Sequence, residues 1–209
     1  PLPEESDIAA LPPPTPDLLA VGVGGWGRDP VSWRTAGARR LLVCGPARSG
    51  RTTTLATLAR QASRAGHPLA VIGGADLPSH PDLEGCPRFG AEDRDALVAL
   101  RQRHPDLAVV VDDADRLDDA PVTEVLREIV RRVDADRGLV MAVSTTQVAT
   151  TQLRGLVAEI GRARTGILLQ PTSRADGDAL GLRVPPLQRL PGRGYLVADG
   201  RAEEVQVAR

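Results

Sequence analysis

Residues 39–53 read Arg39-Arg40-Leu41-Leu42-Val43-Cys44-Gly45-Pro46-Ala47-Arg48-Ser49-Gly50-Arg51-Thr52-Thr53. A short apolar run, a loop bounded by two glycines and the opening of a helical pattern follow one another with no residue to spare. A run as apolar and as short as Leu41–Cys44 suits a strand covered on both faces. The stretch therefore calls for a sheet around it and helices on either side. Gly45 and Gly50 let the loop backbone wrap so that its N–H groups point inward, the arrangement that cradles phosphate oxygens. A helix starting near Arg51 would add the positive end of its dipole.

The loop spanning Gly45, Pro46, Ala47, Arg48, Ser49, Gly50, Arg51, Thr52 and Thr53 satisfies G-x-x-x-x-G-K-[ST] at every fixed position except one: Arg51 stands where a lysine belongs. These residues are the candidate nucleotide site, with ATP and Mg²⁺ as the expected ligands and the Thr52 hydroxyl as a metal ligand. Lysine is a compact charge on a flexible stem. The arginine guanidinium is larger, planar and forked, so binding should survive the change better than fast transfer chemistry. No basic residue in the chain is a lysine, which accounts for how Arg51 arose but not for how it would do a lysine's work. A glycine-rich strand-to-helix turn without a ligand is the plain alternative.

The rest of the chain supplies the sheet. Apolar runs at Pro68–Ile72, Leu107–Val111, Leu139–Val143 and Ile167–Leu169 read as four more strands. Helical spacing over Thr53–Ala65, Glu92–Arg103, Val122–Val133 and Gln152–Ile160 places a helix between most of them. Residues 73–90, rich in glycine, proline and histidine, read as loop. Residues 18–37 read as a hairpin set before the core sheet, and Gly194–Val197 with Val205–Val207 as a second small hairpin around Asp199-Gly200. Residues 1–17 carry six prolines and read as a linker joined to a single domain over 18–209. The expected fold class is α/β, a RecA-like three-layer sandwich whose mainly parallel sheet has the strand order 5-1-4-3-2.

Leu107-Ala108-Val109-Val110-Val111-Asp112-Asp113 has the form of a Walker B strand, in which an apolar strand delivers an acid at its carboxyl end. Asp112 is the candidate Mg²⁺ ligand, through a water. Asp113 occupies the position where a glutamate usually polarises the attacking water. It is one methylene shorter, and such a carboxylate must come within about 3 Å of its target. A solvated acidic turn is the alternative for this stretch. In Ser144-Thr145-Thr146-Gln147, Gln147 is the candidate γ-phosphate sensor and Thr145 the second choice, set against polar residues simply leaving a strand. Arg154, Arg162 and Arg164 are candidate fingers toward a neighbouring subunit, set against a solvated arginine-rich face. His67, His80 and His104 are scattered and suggest no metal site.

Composition narrows the function classes. The net charge of −1, from 26 arginines against 27 acids, argues against a whole-protein attraction to nucleic acid. Aromatics make up only 2%, so the core must be aliphatic. Cys44 and Cys86 have neither zinc spacing nor a disulfide framework, which suits a reducing compartment. No apolar run approaches the roughly 20 residues of a membrane span. The proline-rich start without methionine suggests a segment of a longer polypeptide.

Together the hairpin, the P-loop, Asp112-Asp113-Ala114-Asp115 and the tail resemble the FtsK/SpoIIIE motor ATPases. The tail is the most specific part: Gly166-Ile167-Leu168-Leu169-Gln170-Pro171, Gly177-Asp178-Ala179-Leu180-Gly181, Leu190-Pro191-Gly192-Arg193-Gly194-Tyr195 and Val205-Gln206-Val207-Ala208. It is similar to the closing segment of EccC-type ATPases of type VII secretion. The resemblance implies a C-terminal, degenerate ATPase module of a membrane-anchored secretion motor, cytoplasmic, beside other ATPase domains of the same polypeptide. It also implies hexameric assembly of the full motor, and a role in recruiting exported small helical substrates. The membrane would be reached only through other parts of that polypeptide, and no direct nucleic-acid contact is expected. Arg51 and Asp113 depart from the working pattern, so the expected role is regulation or recruitment with little hydrolysis. A working DNA-translocating ATPase and a purely structural module with an empty P-loop are the alternatives.

Overall fold

The computed structural model describes residues 2–74, 77 and 80–209. Pro1 of the expected linker and residues 75, 76, 78 and 79 of the expected 73–90 loop lie outside the described residues. The strands are β1 (Leu18–Gly24), β2 (Asp29–Arg34), β3 (Arg40–Gly45), β4 (Leu69–Ile72), β5 (Arg88–Phe89), β6 (Ala108–Val111), β7 (Leu139–Thr145), β8 (Gly166–Leu169), β9 (Arg193–Ala198) and β10 (Arg201–Val207). The α-helices are α1 (Arg51–Arg64), α2 (Arg94–Arg103), α3 (Pro121–Asp136), α4 (Thr146–Thr151) and α5 (Leu156–Gly161). Among the described residues, no helix is long and apolar enough to cross a membrane.

The strands form one sheet in the order β2-β1-β10-β9-β8-β3-β7-β6-β4-β5. Within it β8-β3-β7-β6-β4 is the expected parallel 5-1-4-3-2 core. The apolar runs end up inside because both faces are covered. On one face Leu55, Leu58 and Ala62 of α1 pack on Leu41, Val43, Val71 and Met141. On the other, Val122, Val125, Leu126, Ile129 and Val133 of α3, with Leu97 and Leu100 of α2, pack on Leu42, Val109, Val111 and Val140. Each such leucine contributes about 1.5–3 kcal/mol on full burial, which is why alternation along the strands tolerates no polar side chain until the carboxyl ends.

Three features depart from the sequence reading. First, the two hairpins are not appendages. β9 pairs antiparallel with β8, β10 with β9, and β1 with β10, so both hairpins extend the core sheet. Glycines permit the close approach: a Cβ on Gly194 would sit 2.4 Å from the Leu168 carbonyl oxygen, and one on Gly22 2.0 Å from that of Gln206. Second, the helix expected over Gln152–Ile160 starts only at Leu156, after Gly155 at φ +103°, and a separate short helix, α4, precedes it over Thr146–Thr151. Asp118 takes the start of α5, accepting a hydrogen bond from the Leu156 N–H (2.9 Å) and one from the Gln152 side chain. Third, the stretch read as loop contains β5, parallel to β4. Two residues between Pro87 and Gly90 carry no periodicity from which a strand can be read.

The proline-rich arm lies against the chain end. Ile8 and Leu11 are buried in a small cluster with Ala20 and Ala208. The Ile8 N–H donates to the Arg209 carbonyl (3.3 Å), and the Arg209 N–H to that of Ser6 (3.0 Å).

Candidate nucleotide site

β3 ends at Gly45 in the middle of the sheet, and the chain must turn sharply into α1. Arg48 (φ +62°) and Gly50 (φ +96°) take left-handed conformations on either side of Ser49. Alternation of this kind turns successive N–H groups toward one side, forming an anion nest. A Cβ at Gly45 would lie 2.5 Å from the Ser49 Oγ and 2.9 Å from the Leu169 Cβ, so the loop closes only with glycine there. Among the described residues, the N–H groups of Ala47, Arg48, Gly50, Arg51, Thr52 and Thr53 have no acceptor. The last of these are the amides that every helix start leaves unpaired; here they converge with the nest.

Side chains around the loop are unsatisfied in the same way. Ser49 Oγ, Arg51 Nη1, Thr54 Oγ1 and Ser144 Oγ are buried and have no hydrogen-bond partner among the described residues. A buried donor left unpaired costs about 1–3 kcal/mol, more when charged. Phosphate oxygens could accept from the guanidinium, the hydroxyls and the amides of this loop. Arg51 supplies a cation at the start of α1, within this loop.

Asp112 leaves the carboxyl end of β6, the same end of the parallel sheet as this loop, with β7 between β6 and β3. It is buried, and its Oδ1 accepts from the Asp113 N–H at 3.2 Å. Gly73 and Gly74, after β4, pack against its backbone and Cβ. Strand alternation sets Asp112 on the side of Ala108 and Val110, which pack in the cluster under α1. Thr52, in the first turn of that helix, and Asp112 are the pair that would hold Mg²⁺, which needs few protein ligands when phosphates supply the rest. On the β4 side of Asp112 lies a cavity of about 520 Å³, lined by Gly73, Gly74, Arg88, Asp113 and Arg116 among others but by no residue of the loop.

Asp113 behaves differently. Its backbone is left-handed (φ +49°), and its half-exposed carboxylate lies 3.4 Å from the Arg116 guanidinium. An ion pair in solvent is worth only about 0–1 kcal/mol. What matters is direction: the carboxylate that the motif suggested for water activation is turned toward the following turn.

Gln147 is exposed in the first turn of α4, and its carbonyl accepts from the Thr150 and Thr151 hydroxyls (2.9 and 2.8 Å). The Thr145 hydroxyl caps α4 by accepting from the Val148 N–H. Ser144, in register with Cys44 of β3, is the buried hydroxyl at this strand end. Parallel pairing of β3 with β7 brings it there, and strand alternation alone was the signal for it. Arg154 is exposed in the link between α4 and α5, next to the Gly155–Asp118 contact. Arg162 and Arg164 are exposed before the amino end of β8, away from the phosphate loop.

One further segment, the Pro191-Gly192 turn, meets the loop, and motif spacing does not reveal it. The Gly192 N–H donates to the Ser49 carbonyl at 2.8 Å, and a Cβ on Gly50 would lie 3.1 Å from the Gly192 nitrogen. Asp176 opens a short 3-10 segment (Arg174–Leu180). Burial works against its ionisation, but the N–H groups and hydroxyls of Thr172 and Ser173 hold it below the usual carboxylate range.

Cys44 completes the environment. Burial pushes its thiol up to about 12, against the opposing pull of the Arg51 charge. The thiol therefore stays neutral through the whole physiological range, and its stabilising effect fades only as pH rises past the ordinary thiol range. Only thiolates react quickly. With a disulfide reagent at pH 8, one thiol, Cys86, should react in the folded protein and Cys44 only after denaturation. Two thiols reacting rapidly in the native protein would show that the strand end is open.

No protein-family model matches the sequence, and no curated protein matches it. Solved structures do. The cytoplasmic domain of the Thermomonospora curvata type VII secretion ATPase EccC is similar over 99% of this chain and 28% of its own, with 17% identity and a TM-score of 0.77. ATPases 2 and 3 of the same protein, in complex with a signal sequence peptide, are similar over 99% of this chain and 43% of theirs, at 17% identity and a TM-score of 0.75. EssC (ATPases 2 and 3) from Geobacillus thermodenitrificans is similar over 100% of this chain and 45% of its own, at 17% identity and a TM-score of 0.70. The chain thus spans less than half the length of each of these proteins. Its fold, a RecA-like α/β sandwich with the phosphate loop after the first core strand, is the fold of the ATPase domains in these type VII secretion proteins.

Proposed function

We propose that this chain is a nucleotide-binding module of a type VII secretion motor, one that holds ATP and Mg²⁺ but hydrolyses little. In that role it regulates the motor or helps recruit exported helical substrates, beside other ATPase domains of the same polypeptide in a hexameric assembly. It would sit on the cytoplasmic side of a membrane reached by other parts of that polypeptide. The observation that carries the reading is the buried, unpartnered Arg51 Nη1 inside a loop of unpaired amides. A structural module would have no use for an unsatisfied cation there. The low turnover rests on Asp113, whose carboxylate faces Arg116.

Calorimetry with ATP and Mg²⁺ should give measurable heat of binding for the unaltered chain. Arg51→Ala should weaken binding by about tenfold or more, equivalent to about 1.4 kcal/mol. Silence of the unaltered chain and of Arg51→Lys alike at millimolar ATP would favour a purely structural module.

A further inference from the structure

The phosphate loop is tied to the proline-rich arm by a continuous set of bonds. The Gly192 N–H holds the Ser49 carbonyl in the middle of the loop (2.8 Å). The next residue, Arg193, is buried, and every nitrogen of its guanidinium is engaged. Its Nε donates to Gln206 Oε1 (3.0 Å) and its Nη1 to Glu204 Oε1 (3.4 Å). Its Nη2 donates to the carbonyls of Leu2 (3.1 Å) and Pro3 (2.7 Å) in the arm. Gln206 in turn donates to the Pro191 carbonyl, and the Val207 N–H to that of Gly192. The loop's helix joins the same assembly, because the Thr57 hydroxyl of α1 donates to the Ala208 carbonyl (2.5 Å). The arm closes it from outside with Ile8 and Leu11 buried against Ala20 and Ala208, and with Arg209 hydrogen-bonded to Ser6 and paired with Glu5.

We infer that residues 2–11 are a strap whose docking is coupled, through Arg193 and the Pro191-Gly192 turn, to phosphate binding at the loop. The inference rests on the nucleotide-binding reading above. The physical link is the Ser49 carbonyl. Its bond to Gly192 fixes the peptide between the left-handed Arg48 and Gly50, so the nest amides converge only while the turn is in place. Arg193 holds the turn by spanning β9, β10 and the arm. A bound phosphate tightens the loop, and the loop tightens the strap. The coupling is reciprocal by linkage: the factor by which the docked strap raises nucleotide affinity equals the factor by which nucleotide favours docking. Chain entering the domain at the arm would thus report, and respond to, what occupies the loop.

The test combines binding with amide hydrogen exchange on the 209-residue chain, using ATP with Mg²⁺ and, as an anion alone, pyrophosphate. The reporters are the N–H groups of Ile8 and Arg209, which bridge the arm to the chain end. Saturating ATP should slow their exchange. Arg193→Gln and, separately, Ile8→Asn should each weaken ATP binding about five- to tenfold, at the lower end of allosteric couplings, and speed exchange at both amides. Ile8→Asn touches only the small outer cluster, so it decides the question if Arg193→Gln fails to fold. ATP binding with equal affinity to the unaltered chain and Ile8→Asn, with exchange indifferent to ATP, would overturn the strap and leave nucleotide binding standing. No binding of either probe to any form would overturn both.

Discussion

Changing Arg51 to lysine and Asp113 to glutamate together should raise ATP turnover by several decades. Catalysis by phosphate-loop enzymes is mostly positioning and electrostatic stabilisation of a charge-dispersed transition state, and each decade of rate is about 1.4 kcal/mol. On the proposed reading both parts are altered at once. Arg51 keeps its charge at the loop, with Nη1 buried and unpartnered, but a planar fork cannot follow a migrating phosphoryl group as an ammonium can. Asp113 is short, left-handed and paired with Arg116. Each single change should yield less than the pair, because the two groups act on the same transition state and are not additive. The assay belongs in the longest polypeptide that carries this domain, with any further phosphate loop disabled. Turnover by the unaltered domain at ordinary motor rates would contradict the reading, and so would a doubly altered domain as slow as its parent.

Replacing Trp33 by alanine should cost about 3–5 kcal/mol of folding stability, while the same change at Trp26 should stay within about 0.5 kcal/mol. The chain's two tryptophans sit on one hairpin in opposite environments. Trp33 is 1% exposed, packs in the α1-side cluster with Leu19, Val31 and Leu41, and donates from Nε1 to the Ala38 carbonyl at 2.9 Å. Its removal leaves a large cavity and an unpaired carbonyl where the chain enters β3. Trp26 is 95% exposed at the hairpin tip. Urea unfolding midpoints at constant slope measure both, and iodide should quench only Trp26 in the folded protein. A cost below 1 kcal/mol at Trp33 would mean that the hairpin is not welded to the core as the pairing indicates.

The contrast between these tryptophans shows where local pattern stops informing. Val31 and Trp33 alternate as a half-buried strand, and the sequence shows as much; that this strand closes one edge of a ten-stranded sheet depends on β1 pairing with β10. Gly155 is similar. The spacing suits a helix from Gln152 onward, and it is Asp118, contributed from beyond β6, that takes the Leu156 N–H so that the helix starts only after Gly155. The candidate site divides in the same way. Gly45, Gly50, Thr52 and Asp112 could be chosen from spacing, because the loop and the end of β6 are each short contiguous segments. Ser144 could be read only from strand alternation along β7; its place beside Cys44 came from the pairing with β3.

What the sequence determined by itself is the parallel core and the place of the loop within it. Five short apolar runs separated by helical periods can be buried in few ways, since every run needs both faces covered and every crossover the same hand. What tertiary structure alone decided are the contacts between distant segments: the tail turn on Ser49 and the arm held by Arg193 at 191 positions' separation. These depend on single hydrogen bonds to backbone carbonyls. Every residue type offers such a carbonyl, so the sequence carries no mark of which one is used.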